Sequence, residues 1–205
     1  MTEMPFPKRQ TVERENDMLY HVSPTPGLKV LTPKISTHKK AYVYATDNKV
    51  TGILFGAQMD DFDFIISEDE QGIPELYECY PNAFALRYKG RRCSVYTVRE
   101  DGFLRGVTSW SPELVCETDV EILEETEVSD IYRYLLEEET NHHIRIHRYE
   151  KTAAYKAMVA QHIVDRLIRF EIDLKDCQKT DERFAGCYSD LIQALIQVMD
   201  GHLLC

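Results

Sequence analysis

The sequence lacks any apolar run approaching the about 20 residues that a membrane-spanning helix requires. Its first residues, MTEMPFPKRQTVEREND, are polar and charged and contain no apolar core of a secretory signal. We therefore expect no membrane segment and a cytoplasmic location. Residues 1–17 predict a mobile leader that precedes the first apolar segment, MLYHV, at 18–22.

Paired cysteines and the familiar catalytic motifs are also absent. The six cysteines form no C-x-x-C, which predicts free thiols and argues against a structural zinc site. The sequence has no glycine-rich phosphate loop and no G-x-S-x-G. His143 and His147 have the spacing of a helical metal pair, but no H-E-x-x-H surrounds them. We expect a solvated helix start or loop there, and no metal site.

Positive charge is scarce, since the chain has a net charge of −11. An acidic protein repels a phosphate polymer, so this balance argues against nucleic acid as a partner. The charge is uneven, because residues 1–50 contain eight Lys or Arg and five acids. A small phosphate-bearing ligand suits this region. An uneven but merely solvated surface is the alternative.

The composition, 43% hydrophobic and 29% charged, is that of an ordinary globular protein. Short runs rich in β-branched and aromatic residues predict strands. They are MLYHV, AYVYATD, FDFIIS, LYECY, AFALRY, CSVYTVR and LVCETDVEIL. Between AYVYATD and FDFIIS, the apolar residues of NKVTGILFGAQ have helical spacing and predict a short helix. Thr46 and Asp47, which precede it, are residue types that commonly form an N-cap.

After residue 127 the pattern changes to amphipathic helices. Three are predicted, at SDIYRYLLEEE, over 150–171 and at SDLIQALIQVMDG, the last one ending at Gly201. The sequence thus predicts an α+β domain over 18–127 and a helical region over 128–205 packed on it.

Two strand ends carry the residues that suggest chemistry. A histidine that ends a strand, His21, can donate a hydrogen bond to a ribose hydroxyl, and the backbone of Val22 can pair with an amide. Ser23 adds a hydroxyl. Tyr42 and Tyr44 project from one face of their strand, where an aromatic ring can stack on a flat heterocycle. These groups suit a nicotinamide riboside. Turn capping and an ordinary half-buried strand are the alternative reading.

The stretch LYHVSPTPGLKVLTPKIS…AYVYATD resembles the opening of the ADP-ribosyltransferase superfamily. That superfamily shares an NAD-cradle fold and includes rifamycin ADP-ribosyltransferases, tRNA 2′-phosphotransferases and poly(ADP-ribose) polymerases. The resemblance covers about a quarter of the chain. Matching residues are His21, Val22 and Ser23 in the first motif, Leu31 and Pro33 in the connector, and Tyr44 with Thr46 in the second, with Tyr42 as the alternative tyrosine.

The resemblance implies a split β-sheet that binds NAD as a substrate. His21 would then contact the ribose, the Val22 backbone the nicotinamide amide, and Tyr44 the nicotinamide ring. The third motif of these families is an acid at the start of a late strand, and several relatives carry it directly before an aromatic residue. Here Ser109 precedes Trp110, so Glu113 is the best substitute and Glu117, predicted to lie within the strand, is the next. Val22 stands where relatives have glycine.

The match to the first two motifs and the missing acid of the third leave two possible functions. The first is NAD binding, with transfer of ADP-ribose to an unknown acceptor. The second is a catalytically inactive module of the same fold whose helices after 127 bind a protein partner or a second copy of the chain. The acidic body argues against the tRNA 2′-phosphotransferase branch, which needs a basic surface for RNA.

Overall fold

The computed structural model describes residues 18–35, 40–57, 62–108, 110–169, 188–189 and 191–203. The predicted leader over 1–17 lies outside these ranges. The strands are β1 (Met18–Ser23), β2 (Val30–Leu31), β3 (Lys34–Ile35), β4 (Ala41–Ala45), β5 (Phe64–Glu68), β6 (Pro74–Glu78), β7 (Cys93–Arg99), β8 (Leu104–Arg105), β9 (Leu114–Cys116), β10 (Val120–Glu121), β11 (Glu124–Val128) and β12 (Arg145–His147). The helices are α1 (Lys49–Leu54), α2 (Ala83–Tyr88), α3 (Ile131–Thr140), α4 (Ala153–Arg169) and α5 (Ile192–Leu203).

The strands form small sheets in a mixed α+β arrangement. Their orders are β1-β7-β11, β3-β4-β9-β8, β12-β6-β5 and the pair β10-β2. All the pairings are antiparallel except that of β12 with β6. A single antiparallel bridge, Tyr20 with Thr46, joins the first sheet to the second. No helix in the described ranges is long and apolar enough to cross a membrane.

Two hydrophobic clusters lie on opposite faces of β1, as strand alternation requires. Tyr20 and Val22 pack against the larger cluster, to which α1 to α5 all contribute buried residues. Leu19 belongs to the smaller cluster, together with Tyr96 of β7 and Leu114 of β9. The strand that carries the first motif therefore has a buried position in the middle of the fold.

Helix α1 begins one residue later than the sequence predicted. Its N-cap is Asn48, whose side chain accepts hydrogen bonds from the backbone N–H groups of Val50 (3.0 Å) and Thr51 (3.1 Å). Asn48 thus has the capping role predicted for Thr46 or Asp47.

The prediction of a strand at AFALRY was wrong, because these residues form α2. A six-residue apolar run does not separate strand from helix by periodicity. The buried carboxylate of Glu78 accepts a hydrogen bond from the Phe84 N–H (2.8 Å) and so stabilises the start of the helix. The predicted strand LVCETDVEIL is two short strands, β9 and β10, and α5 continues through Gly201 to Leu203.

The loop predicted for the histidine-rich segment over 141–150 is present except at Arg145–His147, which form a strand. His143 follows α3 and bonds Glu138, with 2.6 Å between Nδ1 and Oε2, whereas His147 lies on β12 and stacks on Tyr77. The two histidines therefore share no helix face. The region after 127 contributes a strand as well as helices, and the boundary at 127/128 stays a prediction.

Candidate functional site

Strands β1 and β4 belong to different sheets and meet at one backbone bridge. The Tyr20 N–H donates to the Thr46 carbonyl (2.8 Å), and the Thr46 N–H donates to the Tyr20 carbonyl (3.1 Å). Beyond this bridge the described residues of the two strands form no further ladder. We call the place beside His21, Val22 and Ser23, where this pairing ends, the split.

His21 lies half-buried at the split. Its Nδ1 is 2.7 Å from the carbonyl oxygen of Tyr44. A carbonyl oxygen only accepts, so Nδ1 carries the hydrogen, and in the neutral ring Nε2 is an acceptor. Burial lowers the pKa of His21 below its usual value, the Tyr44 carbonyl opposes this shift, and the charge of Lys34 lowers the pKa further. A ribose hydroxyl would therefore donate to Nε2, the reverse of the direction predicted.

The backbone N–H and C=O groups of Val22 point toward the split. In a β-strand, successive backbone groups point to opposite edges. Because Tyr20 exchanges both backbone hydrogen bonds with Thr46, the N–H and C=O of Val22 point to the same edge. Past the bridge, no described residue bonds them there. One donor and one acceptor thus lie side by side, as a carboxamide requires.

The two candidate tyrosines differ in exposure. Their ring centroids are 5.9 Å apart in an edge arrangement. Tyr42 is only 7% exposed, and the Lys40 ammonium lies 5.3 Å from its ring centroid. Tyr44 is half-buried, so it is the tyrosine with ring surface left for a ligand.

Ser23 and Thr46 have local partners. The Ser23 Oγ accepts from the Thr25 N–H (3.2 Å), and the Thr46 Oγ1 accepts from the Asn48 N–H (3.2 Å). Thr46 is 5% exposed, and both bonds shape the turns that follow the strands. Their predicted contacts with a ligand stay predictions.

Glu113 comes directly before β9. Its N–H donates to the Trp110 carbonyl (3.2 Å), and its side chain is half-buried. Ala45 pairs with Leu114, so the register continued by one residue sets Glu113 across from Thr46. Cross-strand neighbours share a face, which gives Glu113 the same sheet face as Tyr44 and, through the Tyr20–Thr46 bridge, as Tyr20. The side chain of His21 starts from the opposite face of β1.

The other two acid positions are less informative. Ser109 lies outside the described residues. Glu117 follows the last residue of β9, although we predicted it within the strand, and it pairs on the surface with Lys40 at 2.5 Å.

Two residues near the split, Arg105 and Tyr96, were not predicted from the sequence as site residues. Arg105 of β8 pairs with Asp47 (2.9 Å), the neighbour of Thr46. Tyr96, opposite His21 in the register, has its ring centroid 6.3 Å from that of His21. No motif marks these residues, because long-range strand pairing brings them here.

The described part of the chain holds a cavity of about 200 Å³ elsewhere. Its lining includes Arg99, the partner of Met18 at the other end of β1. We therefore do not assign it to the His21 site. No cluster of three or more His, Cys, Asp or Glu residues suited to a metal ion occurs among the described residues.

Comparisons with known proteins add no relative. A scan against protein families, a search of curated proteins and a search of solved structures each found no match.

Proposed function

We propose that this chain binds NAD in the split between β1 and β4 and transfers ADP-ribose from it to an acceptor. The observation that carries the proposal is the main-chain edge of Val22, which bonds no described residue, together with the acceptor nitrogen of the neighbouring His21. A nicotinamide carboxamide matches the N–H and C=O of Val22. A ribose hydroxyl matches Nε2 of His21.

The chemistry divides among the residues at the split. Transfer breaks the bond between ribose C1′ and the nicotinamide nitrogen, and the electron pair leaves with nicotinamide. The ribose then carries positive charge, which the carboxylate of Glu113 would stabilise more strongly in the transition state than in the bound substrate. The acceptor's lone pair forms the new bond to C1′, and its proton leaves to solvent.

The architecture supports this assignment. Among the described residues, two sheets are joined by one bridge, which supports the proposal of a split sheet. Lys34 acts electrostatically on His21, so a positive charge is available there for a diphosphate. In the proposed fold the region after 127 is a helical extension.

Calorimetry with NAD tests the proposal. We expect binding to the wild-type chain and a loss of about tenfold or more in His21→Ala, because the ribose contact disappears. His143→Ala removes a surface histidine bonded to Glu138 and serves as the matched control with unchanged affinity. A folded wild-type chain that shows no heat of binding at millimolar NAD would overturn the proposal.

A second candidate function is an inactive module of this fold that binds a protein through its helices. The serine before Trp110, in place of the acid of several relatives, favours it. Exposed apolar side chains on the helices do so as well: Met158 (39%), Ile168 (55%) and Ile196 (41%). Under this alternative the wild-type chain dimerises or captures a partner, Ile168→Lys does not, and nicotinamide is never released from NAD. Sedimentation and a nicotinamide assay separate the two.

A further inference from the structure

A second set of residues fixes the loop that follows the first motif. The loop comprises residues 24–28, and its backbone is tied to β7 and β11. The Tyr96 hydroxyl lies 2.8 Å from the Thr25 carbonyl, and the Leu28 N–H donates to that hydroxyl (3.2 Å). Tyr96 is itself completely buried, so the attachment point is rigid.

Glu125 completes the attachment from β11. One of its carboxylate oxygens, Oε1, accepts from the Gly27 N–H (2.9 Å) and the Ser94 hydroxyl (2.7 Å). It also lies 3.1 Å from the Tyr96 hydroxyl, whose one hydrogen it shares with the nearer Thr25 carbonyl. Hydrogen bonds to a charged acceptor are stronger than neutral ones. The bond from the Gly27 N–H is the main reason that the pKa of Glu125 is lowered, so the carboxylate is ionised at neutral pH.

Tyr96 also lies next to the His21 ring. His21 and Tyr96 are opposite each other in the β1–β7 register, so their side chains share one sheet face. Their rings are 6.3 Å apart at an angle of 36°. The loop begins at Pro24, two residues past Val22. Fixing the loop therefore limits the directions that the Val22 backbone and the His21 ring can adopt.

We propose that Glu125 is a positioning residue for the His21 site, acting through Tyr96 and the 24–28 loop. It touches no substrate. It holds the strand end and the imidazole in the arrangement that binds a nicotinamide nucleotide. The inference rests on the proposed function for the identity of the ligand, but the arrangement of His21 can be measured without any ligand.

The test compares Glu125→Gln with Glu127→Gln in the full chain. Glu127 lies on the same strand, and its side chain bonds no described residue, so its substitution removes the same charge without touching the loop. Tyr96→Phe is the second variant and removes only the hydroxyl. Three quantities are measured: amide exchange at Gly27 and Leu28, the titration of His21 by NMR, and NAD affinity by calorimetry.

In Glu125→Gln we expect amide exchange at the loop to rise about tenfold. The His21 titration midpoint should move toward 6.5 and NAD affinity should fall severalfold, while Glu127→Gln matches the wild type in all three. Faster exchange with an unchanged His21 titration would overturn the inference, because the contact then stabilises only the loop. A His21 midpoint that moves in a protein that never binds NAD would leave the inference standing and refute the proposed function.

Discussion

At the scale of single residues, the hydrogen bond between His21 and the Tyr44 carbonyl decides what the histidine can do. The carbonyl fixes the hydrogen on Nδ1 and leaves Nε2 as an acceptor. Because burial also lowers the pKa of His21, the ring is predominantly neutral at pH 7. Its contribution is to orient a hydroxyl group, and the charge stabilisation falls to a carboxylate.

Glu113 is the residue to which we assign that stabilisation. We predict that Glu113→Gln lowers the rate of nicotinamide release from NAD by about 10²-fold or more, as loss of a transition-state charge contact does. NAD affinity, measured by calorimetry, should stay within about threefold, because the effect belongs to the transition state. Glu117→Gln is the matched control, since Glu117 pairs with Lys40 on the surface. Equal rates in the wild type and Glu113→Gln would remove Glu113 from the mechanism.

A second prediction at this scale concerns the loss of folding stability at low pH. Burial lowers the pKa of His162 on α4 to about 4 from its usual 6.5, and its Nε2 has no hydrogen-bond partner among the described residues. Burial lowers the pKa of His21 as well. The unfolded chain therefore binds protons near pH 6.5 that the folded chain does not, so the stability present above pH 6.5 is lost as the pH falls.

Urea unfolding at several pH values measures this loss. Between pH 6.5 and 4, the free energy of unfolding should decrease by at most about 1.4 kcal/mol per pH unit for each histidine, and by less for groups that are only partly buried. His162→Leu should flatten the slope. A free energy of unfolding that is constant over this range would contradict the burial argument.

At the scale of elements, a close approach sets the position of α1. A Cβ on Gly52 would lie 3.1 Å from Val22 Cγ2 and 3.2 Å from Thr46 Cγ2, so the helix packs directly on both motif residues. One turn later, a Cβ on Gly56 would lie 2.7 Å from Cys93 Sγ and 2.9 Å from Cys93 Cβ. The helix that follows the second motif therefore depends on glycine.

We predict that Gly56→Ala destabilises the protein by about 1–3 kcal/mol, the usual cost of overpacking a tight contact. Gly201→Ala is the control within a helix, since a Cβ there meets no described atom within 4 Å. It should raise stability by up to about 1 kcal/mol because alanine favours the helix. Denaturant unfolding of both variants measures the difference. A neutral Gly56→Ala would mean that α1 can move away from β7.

Elements whose signal is local were predictable, and those that depend on distant partners were not. Short runs rich in β-branched and aromatic residues predicted β1 and β4, and amphipathic spacing predicted α3, α4 and α5, although the capped end at Gly201 was wrong. Helix α2 was missed because its start depends on the Glu78 carboxylate from a preceding strand.

The candidate site likewise combines residues with a local sequence signal and residues that depend on distant partners. His21 and Tyr44 belong to local motifs, and Nδ1 of His21 lies 2.7 Å from the Tyr44 carbonyl oxygen, while their contacts with NAD stay predictions. Glu125 acts on the site only because β11 pairs with β7, a contact between residues far apart in the sequence. No property of the acidic run around Glu125 distinguishes it from its neighbours.

At the scale of the whole molecule, the split lies where two hydrophobic clusters meet. One cluster includes residues of all five described helices, and the other lies on the opposite face of β1. A packed core thus supports a strand end whose backbone edge bonds no described residue. Binding sites are commonly built this way, with a few polar groups presented by a fixed scaffold.

An NMR titration of the wild-type chain with NAD tests the central claim most directly, because it reports where the ligand binds. The account predicts that the largest shift changes occur at the amide of Val22 and the ring of His21, with smaller ones at Tyr44. These changes should saturate with increasing NAD. Changes confined to α4 and α5, or none at millimolar NAD in a folded protein, would contradict it.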